Sequence, residues 1–340
     1  DVVTAAVRPD PMTSERARVP VRDKVDGVVY AVSADGVELP VIDIDHPSFA
    51  IPTSLAALSP SIAAWEQQQQ KMQRLPAPLR SLLTRLFLRR SVLARGLRDG
   101  SSTFLSGMNT YLLKLAPAHL GSWAAPVDAT IADGLGGQAV RLRLHDVVVA
   151  CCDAARPQLQ WDPARPLSHV NIGGGPAPDT VNTLWALTRE GLLRGRRAVA
   201  RICDKDDNGP AFCVAACAAA GLDVDVAHVF YDWDDVASFA VDVGDGCVVV
   251  SCEGSLFEYG SDAQIVANLQ LLRARLPADG VVVGSVTSDG ALAASLKSQA
   301  VSKTRPRSAA AFAALASSSG WRVAAEREGV LSRVVTLVKL

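Results

Sequence analysis

The sequence predicts an α/β fold: a seven-stranded, mostly parallel, Rossmann-like sheet ending in an antiparallel hairpin, preceded by a mainly helical region. Three observations carry that expectation. From residue 167 onward, short and nearly continuous apolar runs alternate with helical periodicity, as in strands buried on both faces. The first run ends in three glycines, Gly173, Gly174 and Gly175. The last two runs, 321–326 and 332–339, are separated only by residues 327–331 and therefore read as a hairpin.

The elements follow in chain order. Residues 27–33 and 37–44 alternate around Asp35-Gly36, a hairpin signal. Residues 60–74 and 78–98 read as helices. In the second, Leu79, Leu82, Leu83, Leu86, Phe87, Leu93 and Leu97 recur at helical spacing, and that face is expected to pack into the core. Residues 101–115 and 140–155 read as two more helices. The stretch 158–166, with two prolines and no periodicity, marks an expected boundary between a helical lid and substrate domain (1–160) and an α/β domain (161–340). Strands are then expected at 167–172, 198–203, 224–230, 247–252 and 281–286. Helices are expected at 178–193, 209–220, 262–276 and 309–318.

Composition narrows the function classes. Of 340 residues, 49% are hydrophobic and 20% charged, and 34 basic against 35 acidic side chains leave a net charge of −1. Such a chain is not disordered, and its balance gives no electrostatic footprint for nucleic acid. Aromatics at 5% argue against stacking platforms for single strands. Seven cysteines, without a Cys-x-x-Cys pair, lie mostly in apolar runs and read as buried hydrophobes in a reducing compartment. Cys213 and Cys217 share a helix face, but no further ligand follows at zinc spacing, so no metal is expected. No apolar run reaches the ~18–20 residues that span a bilayer, and the start lacks a signal peptide's apolar core. A cytoplasmic location is the expectation.

The strongest motif runs from Asn171 to Asp179, between the first strand of the α/β region and its first helix. Glycines there allow a tight turn and let a ligand approach bare backbone. Ligands of open parallel sheets bind at the carboxyl ends of strands. Asp204 ends the second strand, where an acid accepts hydrogen bonds from a ribose diol. Asp232 and Trp233 follow the third, placed for an adenine amine and ring face. Pro178 stands three positions after Gly175, and Asp179 follows in the first helical turn. A carboxylate there repels phosphate and accepts from an ammonium. The ligand therefore reads as a nucleoside bearing an amino acid, not a dinucleotide.

On the loop, the acids at strand ends and the terminal hairpin, residues 167–340 resemble the class I S-adenosylmethionine (SAM)-dependent methyltransferases. The family's first-strand motif is commonly acidic-x-Gly-x-Gly-x-Gly; here Asn171 and Ala177 stand at the first and last positions. The resemblance implies SAM as cofactor. It places Gly173, Gly174, Gly175 and Pro176 against the methionine part, with Asn171 and Asp179 beside it, Asp204 on the ribose, and Asp232 with Trp233 on the adenine. Ser251, Cys252, Glu253 and Gly254, at the fourth strand's exit, would line the reaction site. The implied activity is a methyltransferase acting on a small-molecule metabolite in biosynthesis. Gly175-Pro176-x-Pro178-x-Thr180 is also similar to the Gly-Pro-x-Pro-x-Thr stretch of nicotianamine-synthase-like enzymes. That likeness implies an alternative: transfer or cyclisation of the aminocarboxypropyl group with release of methylthioadenosine. An NAD-dependent oxidoreductase and a non-catalytic scaffold are further alternatives.

Methyl transfer needs a base only if the acceptor carries a proton. Glu253 is the candidate base, with Glu258 and Tyr259 beyond it in the loop 254–261. The bland reading is that Glu253 orders this loop. Asp43-x-Asp45-His46 reads as a surface turn, weighed against a metal-ligand or base role; His169 and His228 read as structural, and His145-Asp146 as a solvated pair. The helical region is expected to cover the strand ends, with Asn109 and Tyr111 in 104–111 as substrate contacts. Residues 71–98 carry eight basic residues and no acid. That suits a membrane surface or an anionic partner such as a carrier protein, weighed against a solvated face. The sequence is compatible with a homo-oligomer.

Overall fold

The structure is a computed structural model and describes residues 24–99, 107–298 and 303–340. Strands β1 (Tyr30–Val32) and β2 (Glu38–Pro40) pair around the Asp35-Gly36 turn. The main sheet holds β3 (Leu167–Ile172), β4 (Ala198–Asp204), β5 (Asp225–Phe230), β6 (Cys247–Cys252), β7 (Val281–Thr287), β8 (Trp321–Arg327) and β9 (Ser332–Lys339). Their order is β5-β4-β3-β6-β7-β9-β8, parallel except where β9 pairs with β7 and β8. The expected fold class is the one found. Strands β3, β6 and β7 are buried along their whole length, which explains their continuous apolar sequences, whereas the edge strand β5 is half-buried and the edge strand β8 largely exposed. The chain moves outward from β3 in both directions, through β4 on one side and β6 on the other. That switch opens a crevice above the carboxyl end of β3.

Helices α1 (Ser59–Gln73), α2 (Ala77–Arg89), α3 (Val92–Asp99), α4 (Asn109–Lys114), α5 (Pro126–Asp133) and α6 (Leu135–Trp161) precede the sheet. The helix expected over 78–98 is two helices, broken at Arg90-Ser91. Buried Ser91 caps α3 by accepting from the Ala94 amide at 2.8 Å. The fully buried carboxylate of Asp128, on α5, accepts from the Ser91 hydroxyl and from the Val92 and Leu93 amides at 2.5–3.2 Å. The expected leucine face is corrected in part: Leu93 is buried, Leu79, Leu82 and Leu86 are exposed, and the side chains of Leu83, Phe87 and Leu97 lie outside the described ones. Of the helix expected over 101–115, residues 101–106 lie outside the described residues and 109–114 form α4.

Helix α6 is longer than the 140–155 read from sequence and carries Pro157 within it, so its last turn covers much of the apparent linker. It packs against β6, β7 and β9 and against α7 (Pro178–Arg189). One cluster of buried side chains joins Ile42, Phe49 and Tyr111, through Val147 and Cys151 of α6, to Ala200 and Val249 of the sheet. Helices α8 (Asn208–Ala219), α9 (Leu256–Tyr259), α10 (Asp262–Arg275), α11 (Ala291–Ser298) and α12 (Ala309–Ser318) complete the description.

Candidate active site

The turn from β3 to α7 is bare backbone pressed between side chains. Gly173 (φ +66°) and Gly175 (φ +53°) adopt left-handed conformations that favour glycine. A Cβ on Gly173 would lie 2.6 Å from the Trp233 ring, and one on Gly174 would lie 1.9 Å from Asn171 Oδ1. The loop is therefore glycine-rich partly to admit two of the chain's own side chains. Ala177, at the position of the motif's last glycine, is also left-handed (φ 45°).

Beneath this loop lies a buried polar chain. Asn171 Nδ2 donates to both Asp179 oxygens at 2.9 and 3.0 Å and lies 3.1 Å from Thr180 Oγ1 and from Ser251 Oγ. Ser251 Oγ is 3.0 Å from His169 Nε2. Asn171 Oδ1 is buried without a partner. Burial, and then the charge of Glu253, push the Asp179 carboxyl up to about 6.

At the end of β4, the Asp204 carboxylate accepts from the Gly175 amide at 2.9 Å and the Asp206 amide at 3.0 Å. Burial pushes its pKa up. His228 holds the Asp204 carbonyl at 2.9 Å. Gly107 comes over this loop: a Cβ there would lie 2.8 Å from Asp206 Oδ2, and a Cβ on Gly175 would lie 3.2 Å from the Gly107 carbonyl. Half-buried Asn109 follows two residues later. Asp232 is ion-paired to Lys205 at 2.5 Å, which holds its carboxyl below the usual range. Asn171, Gly173–Gly175, Pro176, Asp179, Asp204 and Trp233 thus meet around one turn, with Asp232 at its outer edge.

The exit of β6 differs from the sequence reading. Glu253 is buried, and its carboxylate is gripped by the Lys114 ammonium and by Arg143 Nε at 2.5 Å. Arg143 also reaches Glu258 at 3.1 Å. Burial opposes the charge on Glu253, but Arg143 and then Lys114 hold its carboxyl below the usual range. A carboxylate held this way is a weak base near neutral pH, and the position it occupies is that of a buried anchor. Tyr259, beside it, is 39% exposed, and the covering of the rest of its ring, followed by the Glu258 charge, raises its phenol pKa. Cys252 lies in the core against Phe257 and Gly284 rather than at the site. Tyr111 is likewise buried; its hydroxyl donates to the Pro40 carbonyl at 2.6 Å and accepts from the Ile42 amide at 3.0 Å. It braces Pro40 and Ile42 from inside the core.

Lys114 and Arg143 are the charged residues that sequence reasoning missed. Their only signal is a cation set among apolar neighbours on α4 and α6. The Asp43-x-Asp45 acids pair with Arg189 at 2.5 and 2.7 Å, and His46 lies 2.7 Å from Ser48 Oγ. Asp146, expected in solvent, is buried. A cavity of about 610 Å³ lies past the exit of β7, two strands from the glycine turn. Leu55, Ser59, Ile62, Ser288, Leu292 and Val330 are among its lining residues.

No family model and no curated protein matches the chain. Among solved structures, it is similar to the N,N-8-amino-8-demethyl-D-riboflavin dimethyltransferase RosA from Streptomyces davawensis, at 17% identity and TM-score 0.43, over 64% of this chain and 60% of that one. It is similar to the mitomycin 7-O-methyltransferase MmcR at 17% identity and TM-score 0.41, over 60% and 57% of the two chains. A third is magnesium protoporphyrin IX methyltransferase (ChlM) from Synechocystis PCC 6803 with bound SAH, at 13% identity and TM-score 0.44, over 61% and 88%. The chain spans about 60% of the length of the first of these.

Proposed function

We propose that the chain is a SAM-dependent methyltransferase acting on a small-molecule metabolite. The observation that carries this reading is the set of carboxylates at the exits of three neighbouring strands, Asp179 beyond β3, Asp204 at β4 and Asp232 beyond β5, around a glycine turn flanked by Trp233. The donor set fits the cofactor. Asn171 Oδ1 is an orphaned acceptor beside the loop, and Asp204 keeps lone pairs beyond those used by its two amide donors.

When bound, SAM supplies a methyl group on a positively charged sulfur. Asp179, oriented by Asn171, would receive the ammonium of the methionine part. Asp204, fixed by two amides, would receive the ribose hydroxyls, and Trp233 would face the adenine. Glu253 anchors Arg143 and Lys114, so the rim carrying Glu258 and Tyr259 is held in place from inside the protein. The Tyr259 phenol stays protonated near neutral pH, which suits it to donating a hydrogen bond to an acceptor. The remaining contribution is alignment of acceptor and methyl group. A reducing, cytoplasmic, biosynthetic setting belongs to the same proposal, supported by seven buried cysteines without disulfides.

Calorimetric titration with SAM, using NAD as control, tests the cofactor; binding of SAM alone is expected. By-product analysis then tests the bond broken: S-adenosylhomocysteine is expected, and methylthioadenosine would establish the aminocarboxypropyl alternative instead.

A further inference from the structure

Segment 71–98 carries eight basic residues and no acid, in a chain whose remaining 26 basic residues face 35 acidic ones. Among the described side chains, Lys71, Arg74, Arg80, Arg89, Arg90 and Arg95 are half-buried or exposed, and none is matched to a carboxylate. Elsewhere several arginines are paired: Arg143, Arg156, Arg165, Arg189 and Arg201 each meet an acid within 3.1 Å. The same surface carries leucines. Leu79, Leu82 and Leu86 are 43%, 51% and 53% exposed, and their spacing of three and four residues puts them in one stripe along α2. Helix α2 packs chiefly against α1 and α3, and the stripe faces away from the buried core.

We propose that α2, with the end of α1 and the start of α3, is an interfacial docking surface for an anionic lipid bilayer. Leucines on a lone helix face reach the boundary of the acyl chains, and flanking arginines lay their stems along that face while their guanidinium groups meet headgroup phosphates. Arg80 and Arg89 lie on opposite flanks of the stripe. Charge selects this occupant. A second copy docked by the same face would oppose two sets of unpaired cations. An acidic partner helix would be received by a groove, and the cavity past β7 has no α2 residue in its lining. The proposal is independent of the transfer chemistry.

The test is co-sedimentation of the full chain with phosphatidylcholine vesicles, with and without phosphatidylglycerol. Binding is expected only to the anionic vesicles and is expected to fall with added salt. Removing two charges with Arg89→Gln and Arg90→Gln should weaken partitioning roughly fivefold per charge. Leu82→Ser with Leu86→Ser should abolish it, without lowering the melting temperature. No binding to anionic vesicles at low salt overturns the proposal, as does binding that survives both pairs of substitutions. Retention on an immobilised acidic carrier domain, or a dimer lost on Leu82→Ser with Leu86→Ser, also overturns it when vesicles are not bound.

Discussion

Asn171 and Asp179 form one buried polar unit at the end of β3. The amide lies under the loop, and the carboxylate reaches back from the first turn of α7. Burial raises Asp179 from 3.8 to about 6, so between those values the folded state holds a proton that the unfolded chain has released. Stability is therefore expected to fall as pH rises through that window and to level off above it. Asp179→Asn should remove the slope in melts followed from pH 4 to 8 and leave the protein at least as stable at pH 7, while calorimetry finds SAM binding lost. Glu253 has the opposite sign. Its carboxyl is held below the usual range, so its contribution is full above the unfolded pKa and is lost as pH falls through the folded one. Glu253→Gln leaves Lys114 and Arg143 buried without their shared anion, and a loss of about 3–5 kcal/mol is expected in urea unfolding. An unchanged midpoint with reduced turnover would restore Glu253 to the chemistry. The loop and the strand-end acids were legible because their positions are local, each a fixed step from an apolar run. The grip on Glu253 was not, because its partners lie 139 and 110 residues away in sequence.

Helices reveal a different limit. Strands β3, β6 and β9 and helix α12 were read to their ends, since apolar runs bounded by Gly, Asp or Ser leave little choice of boundary. The break between α2 and α3 was hidden, because leucine periodicity runs straight through Arg90-Ser91 and the partner that enforces the break is Asp128 on another helix. Asp128 also accepts from the Ala125 amide at 2.8 Å, so one carboxylate caps two helices. Asp128→Ala should cost about 1–3 kcal/mol, read as a lower urea midpoint with reduced far-ultraviolet ellipticity. Asp128→Asn, which keeps an acceptor oxygen, should restore part of the loss. Residues 78–98 also taught that apolar periodicity establishes a helix but not the side on which its apolar face finds a partner.

Across the whole chain, the sheet and its hairpin were foreseeable, whereas the packing of the N-terminal elements on them was not. Periodicity reports which residues are buried and says nothing about what buries them. Because α6 supplies buried side chains to the same core as β4 and β6, residues 161–340 produced alone are expected to lose fixed tertiary packing, and a fragment starting at residue 135 should retain more of it. Near-ultraviolet circular dichroism of the two fragments separates these outcomes; native-like signal from 161–340 would make that segment an independent unit. The seven thiols have a practical consequence for such work. All are buried, and burial pushes Cys152, Cys203 and Cys247 up to about 12. They should ignore maleimides, since attack requires an accessible thiolate. A cysteine introduced at exposed Gln68 would then be a lone handle for a fluorophore or nitroxide, with no need for a cysteine-free background.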